Sequence, residues 1–201
     1  MRSRMYKQPI ILLSLLVVAF TACEKNETGK TPANHIIASE NLAIPADVTV
    51  PENLPAGNSR VATYYAEGVQ KYKAQPKPGT QPVTYEWVFV APKADLYDIS
   101  NHKVGTHSAG PNWILNANTD IIYAQHFAPA KTAPSPDGAS IDWLLLKPKD
   151  GTTPTGKFTD VAYIQRIATR GGKAPLTMPA TGSDTVDVYY TAIYRFTKKN
   201  L

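Results

Sequence analysis

The chain lacks a second cysteine: Cys23 stands alone among 201 residues. An intrachain disulfide is therefore excluded, and stability has to come from a packed core. A catalytic thiol is likewise excluded everywhere except position 23. Long apolar runs are missing too. The run Ile10 to Phe20, interrupted by Ser14, falls short of the roughly 20 residues a membrane-spanning helix needs. Charge of one sign is not concentrated anywhere, since 21 Lys+Arg are interspersed with 16 Asp+Glu and the longest basic block is Lys198-Lys199. A nucleic-acid partner, which needs a concentrated basic face, is not expected. There is no P-loop, no dinucleotide glycine fingerprint, no paired-histidine zinc helix and no nucleophile elbow, so neither a cofactor nor a metal is expected.

What is present begins at the N-terminus. Arg2, Arg4 and Lys7 precede the apolar run, and Thr21-Ala22-Cys23 follows it with small residues and a thiol. This order reads as a lipoprotein signal over residues 1–22, cleaved before a lipid-modified Cys23. The address it implies is the bacterial cell envelope, at the outer membrane, with the membrane as a partner through the lipid. Removing three positive charges with the signal leaves 18 Lys+Arg against 16 Asp+Glu, so most of the formal charge of +5 belongs to the part that is cut off. Residues 23–40 are polar, with Gly29 and Pro32 and little apolar pattern, and read as a flexible tether. One domain is expected over residues 41–201.

That domain reads as all-β. Val186, Val188, Tyr190, Ala192, Tyr194 and Phe196 alternate with a more mixed row, a period of two that sends one row to a core and the other to solvent or a second layer. Tyr85, Trp87 and Phe89 repeat the device. Similar runs cover Val61 to Tyr72, Lys103 to His107, Asp120 to Ala128, Ile141 to Lys147 and Thr159 to Thr169. The 17 prolines, well above an ordinary share of about 5%, fall mainly in the connections between these runs, where strand ladders tolerate them. No sustained helical period is visible; a turn or two is allowed near Pro92 to Tyr97. The pattern suggests a single antiparallel β-sandwich or barrel-like domain, and of the two the sandwich is preferred.

Chemistry-bearing residues are densest in Gly105-Thr106-His107-Ser108-Ala109-Gly110-Pro111-Asn112-Trp113. Two readings compete. His107 and Trp113 line a cleft, the indole stacking on an apolar or sugar ring while the imidazole hydrogen-bonds. Alternatively, Gly110-Pro111 makes a tight turn, Trp113 is core and His107 ties down the loop. Ser108 beside His107 does not make a hydrolytic dyad, because neighbours on a strand point apart. A His102–His107 metal pair would need a turn between them.

The runs Ala66-Glu67-Gly68-Val69-Gln70-Lys71-Tyr72, Gly105-Thr106-His107 to Gly110-Pro111-Asn112-Trp113, and Trp143-Leu144-Leu145-Leu146 go together with Tyr163-Ile164-Gln165-Arg166, Gly171-Gly172-Lys173-Ala174-Pro175 and Tyr190-Thr191-Ala192. With Trp87, and in this order, they resemble the secreted family designated domain of unknown function 3455. The resemblance implies an extracytoplasmic β domain and draws attention to His107–Trp113 and Gln165–Arg166. Many members carry a cysteine pair where this chain has Lys73 and, near the second position, Met178, so the disulfide that resemblance implies is absent.

Three function classes follow. The first is an extracytoplasmic binding module for a glycan or other small polar ligand, with Glu67, His107, Trp113, Gln165 and Arg166 as candidate binding residues. The others are a structural or protein-partner role in the envelope, and a hydrolase or lyase using Glu67, His107 or Arg166, which would require two of these groups to converge in a pocket. For the anchor, labelled fatty acid is expected to attach to the wild-type chain and not to Cys23→Ser, with loss of membrane association in the variant; equal labelling of both would refute lipidation.

Overall fold

The computed structural model describes residues 42–50 and 57–200. The expected signal over residues 1–22 and the tether over 23–40, with Cys23, lie outside the described residues. The expected all-β domain is observed. Eight antiparallel strands run as β1 (Asn58–Pro76), β2 (Tyr85–Tyr97), β3 (Lys103–Ser108), β4 (Asn112–Leu115), β5 (Asp120–Ala133), β6 (Trp143–Pro148), β7 (Tyr163–Gly171) and β8 (Thr185–Lys199). Each pairs with the next, and β8 closes onto β1, so the sheet forms a ring rather than the preferred sandwich. The physical reason is the seam: β1 and β8 pair from Asn58↔Lys199 to Lys73↔Thr185, interrupted only by an irregularity between Arg60 and Ala62, which leaves no sheet edge there to form a second layer. The stretch Pro92 to Tyr97, where a helical turn was allowed, is strand, paired to β1 through Gln70↔Pro92 and Tyr65↔Tyr97.

Alternation decides what each residue faces. The inward rows bring Tyr64, Ala66, Leu96, Trp113, Leu115, Ile122, Ile164, Tyr190, Ala192, Tyr194 and Phe196 into one core. The mixed row of β8 does meet a second layer. Ile193 joins Trp143, Leu145, Ile167 and Ala133 on the outside of the ring, where the segment around Val48 covers them. Further along the same strands the outer face carries Lys71 and Asp187, which pair at 3.5 Å.

The wall of the ring is stitched along only part of its height. Strand β2 pairs with β3 from Ala94 to Tyr97, so Tyr85 to Lys93 are held by β1 alone. On the far side β4 meets β5 only from Asp120 to Tyr123, and beyond that β5 pairs with β6 at Ala124 to His126 and Lys131 to Ala133, with an irregularity between them. The short β3–β4 hairpin, turning between Ser108 and Asn112, fills the lower part of that interval. Above it a lateral cleft separates two free strand edges.

Two glycines allow the ring to bend sharply enough to close. A Cβ on Gly68 would run into the Lys93 carbonyl oxygen and the Ala94 backbone; one on Gly105 would meet the Ile114 carbonyl oxygen and the Leu115 side chain. Both mark corners where a neighbouring strand crosses at close quarters. Gly68→Ala and Gly105→Ala are each expected to lower unfolding free energy by roughly 1–3 kcal/mol, the usual cost of overpacking. Urea denaturation checks this, and wild-type midpoints would refute the corner assignment.

Candidate functional site

The lateral cleft leads into a cavity of about 360 Å³. Phe89 to Pro92 of β2 form one side, Ala109, Gly110 and Pro111 of the β3–β4 turn the floor of the mouth, and His126 of β5 the other side. Deeper walls come from Gln70, His107, Trp113, Leu144, Leu146, Arg166 and Tyr194. A neighbouring depression shares Gln70, Phe89, His126, Leu144 and Arg166 and extends toward Tyr72, Asp142 and Lys173. Phe89 is 50% exposed although it sits on an inward row, because no strand closes the wall beside it.

The structure brings together three of the five candidate residues. His107, Trp113 and Arg166 line the cavity. Glu67 and Gln165 do not join them, since each lies on an outward row. Glu67 Oε1 accepts a hydrogen bond of 2.8 Å from the exposed Tyr189 hydroxyl. Gln165 is 5% exposed, and its Nε2 donates to the Val48 carbonyl at 2.7 Å, fastening the covering segment to the outside of the ring. Of the three groups named for a hydrolase or lyase, His107 and Arg166 line the same cavity and Glu67 lies outside it. Glu67 and Arg166 also do not pair with each other.

His107 is only 3% exposed. It lies directly across from Trp113 in the β3–β4 ladder, and the two rings stack at 4.5 Å and 15°. Tyr194 and Phe196 meet the indole edge-on at 5.0 and 5.5 Å. With one face covered by the imidazole, Trp113 at 0% exposure is a core residue and not a stacking platform for a sugar. The His107 Nδ1–H donates to the Asn112 carbonyl at 2.7 Å, closing the turn in the way the loop-fastening reading anticipates. Ser108 points elsewhere and donates to Asn112 Oδ1. Nδ1 thus carries the proton, which leaves Nε2 as a lone pair. Burial drives the imidazole pKa down to about 3, the Asn112 bond opposes this, and the Arg166 charge adds to it.

Arg166 is half-buried. Its Nε and Nη2 both donate to the Asp142 carbonyl, at 3.1 and 2.7 Å. It has no ion pair with a carboxylate among the described residues. Its positive field reaches Tyr72, His107, Tyr190 and Tyr194. Beside it are polar atoms with no hydrogen-bond partner among the described residues: Gln70 Nε2, Trp113 Nε1 and the hydroxyls of Tyr190 and Tyr194. These groups interact with one another through weak side-chain hydrogen bonds, Tyr190 with Tyr194 and Gln70, and Tyr194 with Arg166, none of which meets strict hydrogen-bond geometry. His107 and His126 line the same cavity, but no group of three His, Cys, Asp or Glu suited to a metal occurs among the described residues.

Gln70, Tyr194 and His126 were not singled out from the sequence. For Gln70 a signal existed: it shares its inward row with Ala66, Gly68 and Tyr72, so alternation marks it as a polar residue on a core face. Tyr194 was read only as core.

A family model described as "Protein of unknown function (DUF3455)" matches residues 55–198, which spans all eight strands nearly to their ends. No curated protein matches the chain, and no solved structure does.

The His107 environment sets a pH dependence. In the unfolded chain the ring takes up a proton near its ordinary 6.5, while in the folded chain it does so only near 3. The unfolded state therefore binds more protons within that window, and this contribution to stability is lost as pH falls from 6.5 toward 3. The slope is up to about 1.4 kcal/mol per pH unit. Urea titrations from pH 7 to 4 on wild type and His107→Gln check it. The variant is expected to lose this part of the slope; parallel curves would refute a buried neutral imidazole.

Proposed function

The chain belongs to the DUF3455 family, and we propose that it is a binding module of the bacterial envelope, tethered through lipid on Cys23 and holding one small polar ligand in the lateral cavity. The observation that carries this reading is the cavity itself. At about 360 Å³ it lies within the range of about 300–1,000 Å³ typical of small-molecule sites. It combines an apolar wall with a few convergent polar groups, the usual composition of such sites. The described remainder of the interior is filled by large buried side chains such as Leu96, Leu115 and Phe158.

Size and shape narrow the ligand. A cavity of this volume suits a molecule the size of one sugar or a small metabolite, not a length of polysaccharide. The covered face of Trp113 removes the platform on which glycan stacking would rest. Recognition then falls to Arg166, Gln70, Tyr194 and the His107 Nε2 lone pair, with Phe89, Val90, Leu144 and Leu146 supplying apolar contact.

The experiment is a metabolite and monosaccharide screen by thermal shift on the full chain, with Ala109→Trp as the blocking variant. Ala109 is exposed on the turn at the cavity mouth, so a large ring there obstructs access without entering the core. A ligand at a hundred times its dissociation constant stabilises by about 2.7 kcal/mol, a shift of several degrees. Hits are expected for wild type and are expected to vanish in Ala109→Trp at unchanged melting temperature. Hits that survive the block would move the site elsewhere. A screen with no hits would favour the partner-protein role.

A further inference from the structure

The signs of the charges around the cavity say more than its volume. Of the residues that line it and the adjoining depression, Arg166 and Lys173 are cationic and Asp142 is the one carboxylate. Asp142 is exposed at the outer lip and contributes its backbone carbonyl to Arg166. Lys173 is also exposed and donates to the Gly138 carbonyl. Inside the mouth, a guanidinium without a carboxylate partner stands beside three buried donors that also lack partners among the described residues: Gln70 Nε2, Trp113 Nε1 and the Tyr194 hydroxyl. Gln70 is only 2% exposed. A buried polar atom left unpaired costs stability, and a folded protein rarely keeps several of one kind together. Here each of the three groups can donate, and they line the same cavity as a guanidinium that has no carboxylate partner among the described residues.

We propose that the cavity takes a small organic monocarboxylate, with the carboxylate at Arg166, Gln70 and Tyr194 and the apolar body against Phe89, Val90, Leu144 and Leu146. This rests on the binding-module reading and specifies its ligand class. A guanidinium with spare N–H groups and neighbouring neutral donors is the arrangement that carboxylate oxygens accept from. One guanidinium balances one negative charge. A dianion such as inorganic phosphate would leave a net charge in the cavity and would leave the apolar wall unused. His107 fixes the orientation, because its unprotonated Nε2 repels an anionic oxygen and leaves that end to apolar atoms or to a donor. At about 30 Å³ per water-sized group, the cavity admits on the order of ten non-hydrogen atoms, which suits a short-chain or single-ring acid.

Matched acid–amide pairs test the charge apart from the shape. Benzoate with benzamide, phenylacetate with phenylacetamide, and hexanoate with hexanamide are titrated into the full-length protein by calorimetry, with inorganic phosphate as the oxyanion control. At least one carboxylate is expected to bind ten times or more tighter than its amide. The ratio is expected to fall to near one in Arg166→Gln. In Gln70→Glu, which sets a carboxylate against the ligand's own, the acid is expected to lose binding and the amide to keep it. Should Arg166→Gln fail to fold, Gln70→Glu at wild-type melting temperature decides alone. Amides that bind as tightly as their acids, or phosphate that binds tighter than any of them, would overturn the proposal while leaving the binding module standing. A panel in which nothing binds, with a metabolite screen that still gives hits blocked by Ala109→Trp, would overturn the carboxylate assignment alone; a silent screen as well would overturn both.

Discussion

Closure of β8 onto β1 is the contact on which the rest of the molecule depends. These are the two longest strands, 19 and 15 residues, and their pairing turns a meander into a ring. The seam sets which β8 residues face inward, so Tyr190, Ala192, Tyr194 and Phe196 all enter the core. Burying a side chain the size of Phe196 contributes about 1.5–3 kcal/mol. The same register places Ile193 outside, where the segment around Val48 and the outer residues of β6 and β7 cover it. One strand thus stitches an inner core to an outer one. Tyr194 reaches the cavity wall for the same reason.

The ring is filled at one end and open at the other, and the difference is written in side-chain size and in strand length. Where all the strands pair, Leu96, Leu115, Phe158 and Phe196 close-pack. Where the β3–β4 hairpin stops short, the inward positions are occupied by Gln70, His107 and Arg166, and the wall parts. Unpaired buried polar groups in that half cost about 1–3 kcal/mol apiece; the packed half offsets this. Local conflict with the packing rules that gathers several polar groups around one cavity is the pattern expected where a protein keeps a site.

Much of the fold was legible in the sequence because a period of two survives in single strands. The run Val186 to Phe196 announced both its core row and the layered character of the opposite row. Ring closure was not legible, since it depends on which strand edges meet and no local pattern records that. Strand β4 was hidden by its length of four residues and by the Gly110-Pro111 turn ahead of it. Pro92 disguised the second half of β2, although it sits on the edge that no neighbour pairs with. As to the site, Gln165 and Arg166 are adjacent on one strand, so alternation alone separates them: Ile164 and Arg166 face in, Gln165 and Ile167 face out. Glu67 fails for the same reason relative to Ala66. His107 fastens its turn through Nδ1 and also lines the cavity, so the turn-fastening and cleft readings each describe part of its position.

Strand order in the ring is also chain order, and this has a kinetic consequence. From β2 to β7 every strand can dock on the one before it as soon as it has emerged, through connections short enough to cost little entropy. β1 alone must wait for its second neighbour until the last residues arrive. Joining ends separated by roughly a hundred residues of free coil would cost on the order of 4 kcal/mol in closure entropy, but the intervening hairpins shorten that coil as they form. During this wait a 19-residue strand stands with one edge bare, the exposure that favours pairing with the wrong chain. The most hazardous moment in the life of this protein is therefore the interval between release of β7 and arrival of β8, and the last fifteen residues of strand govern how brief it is.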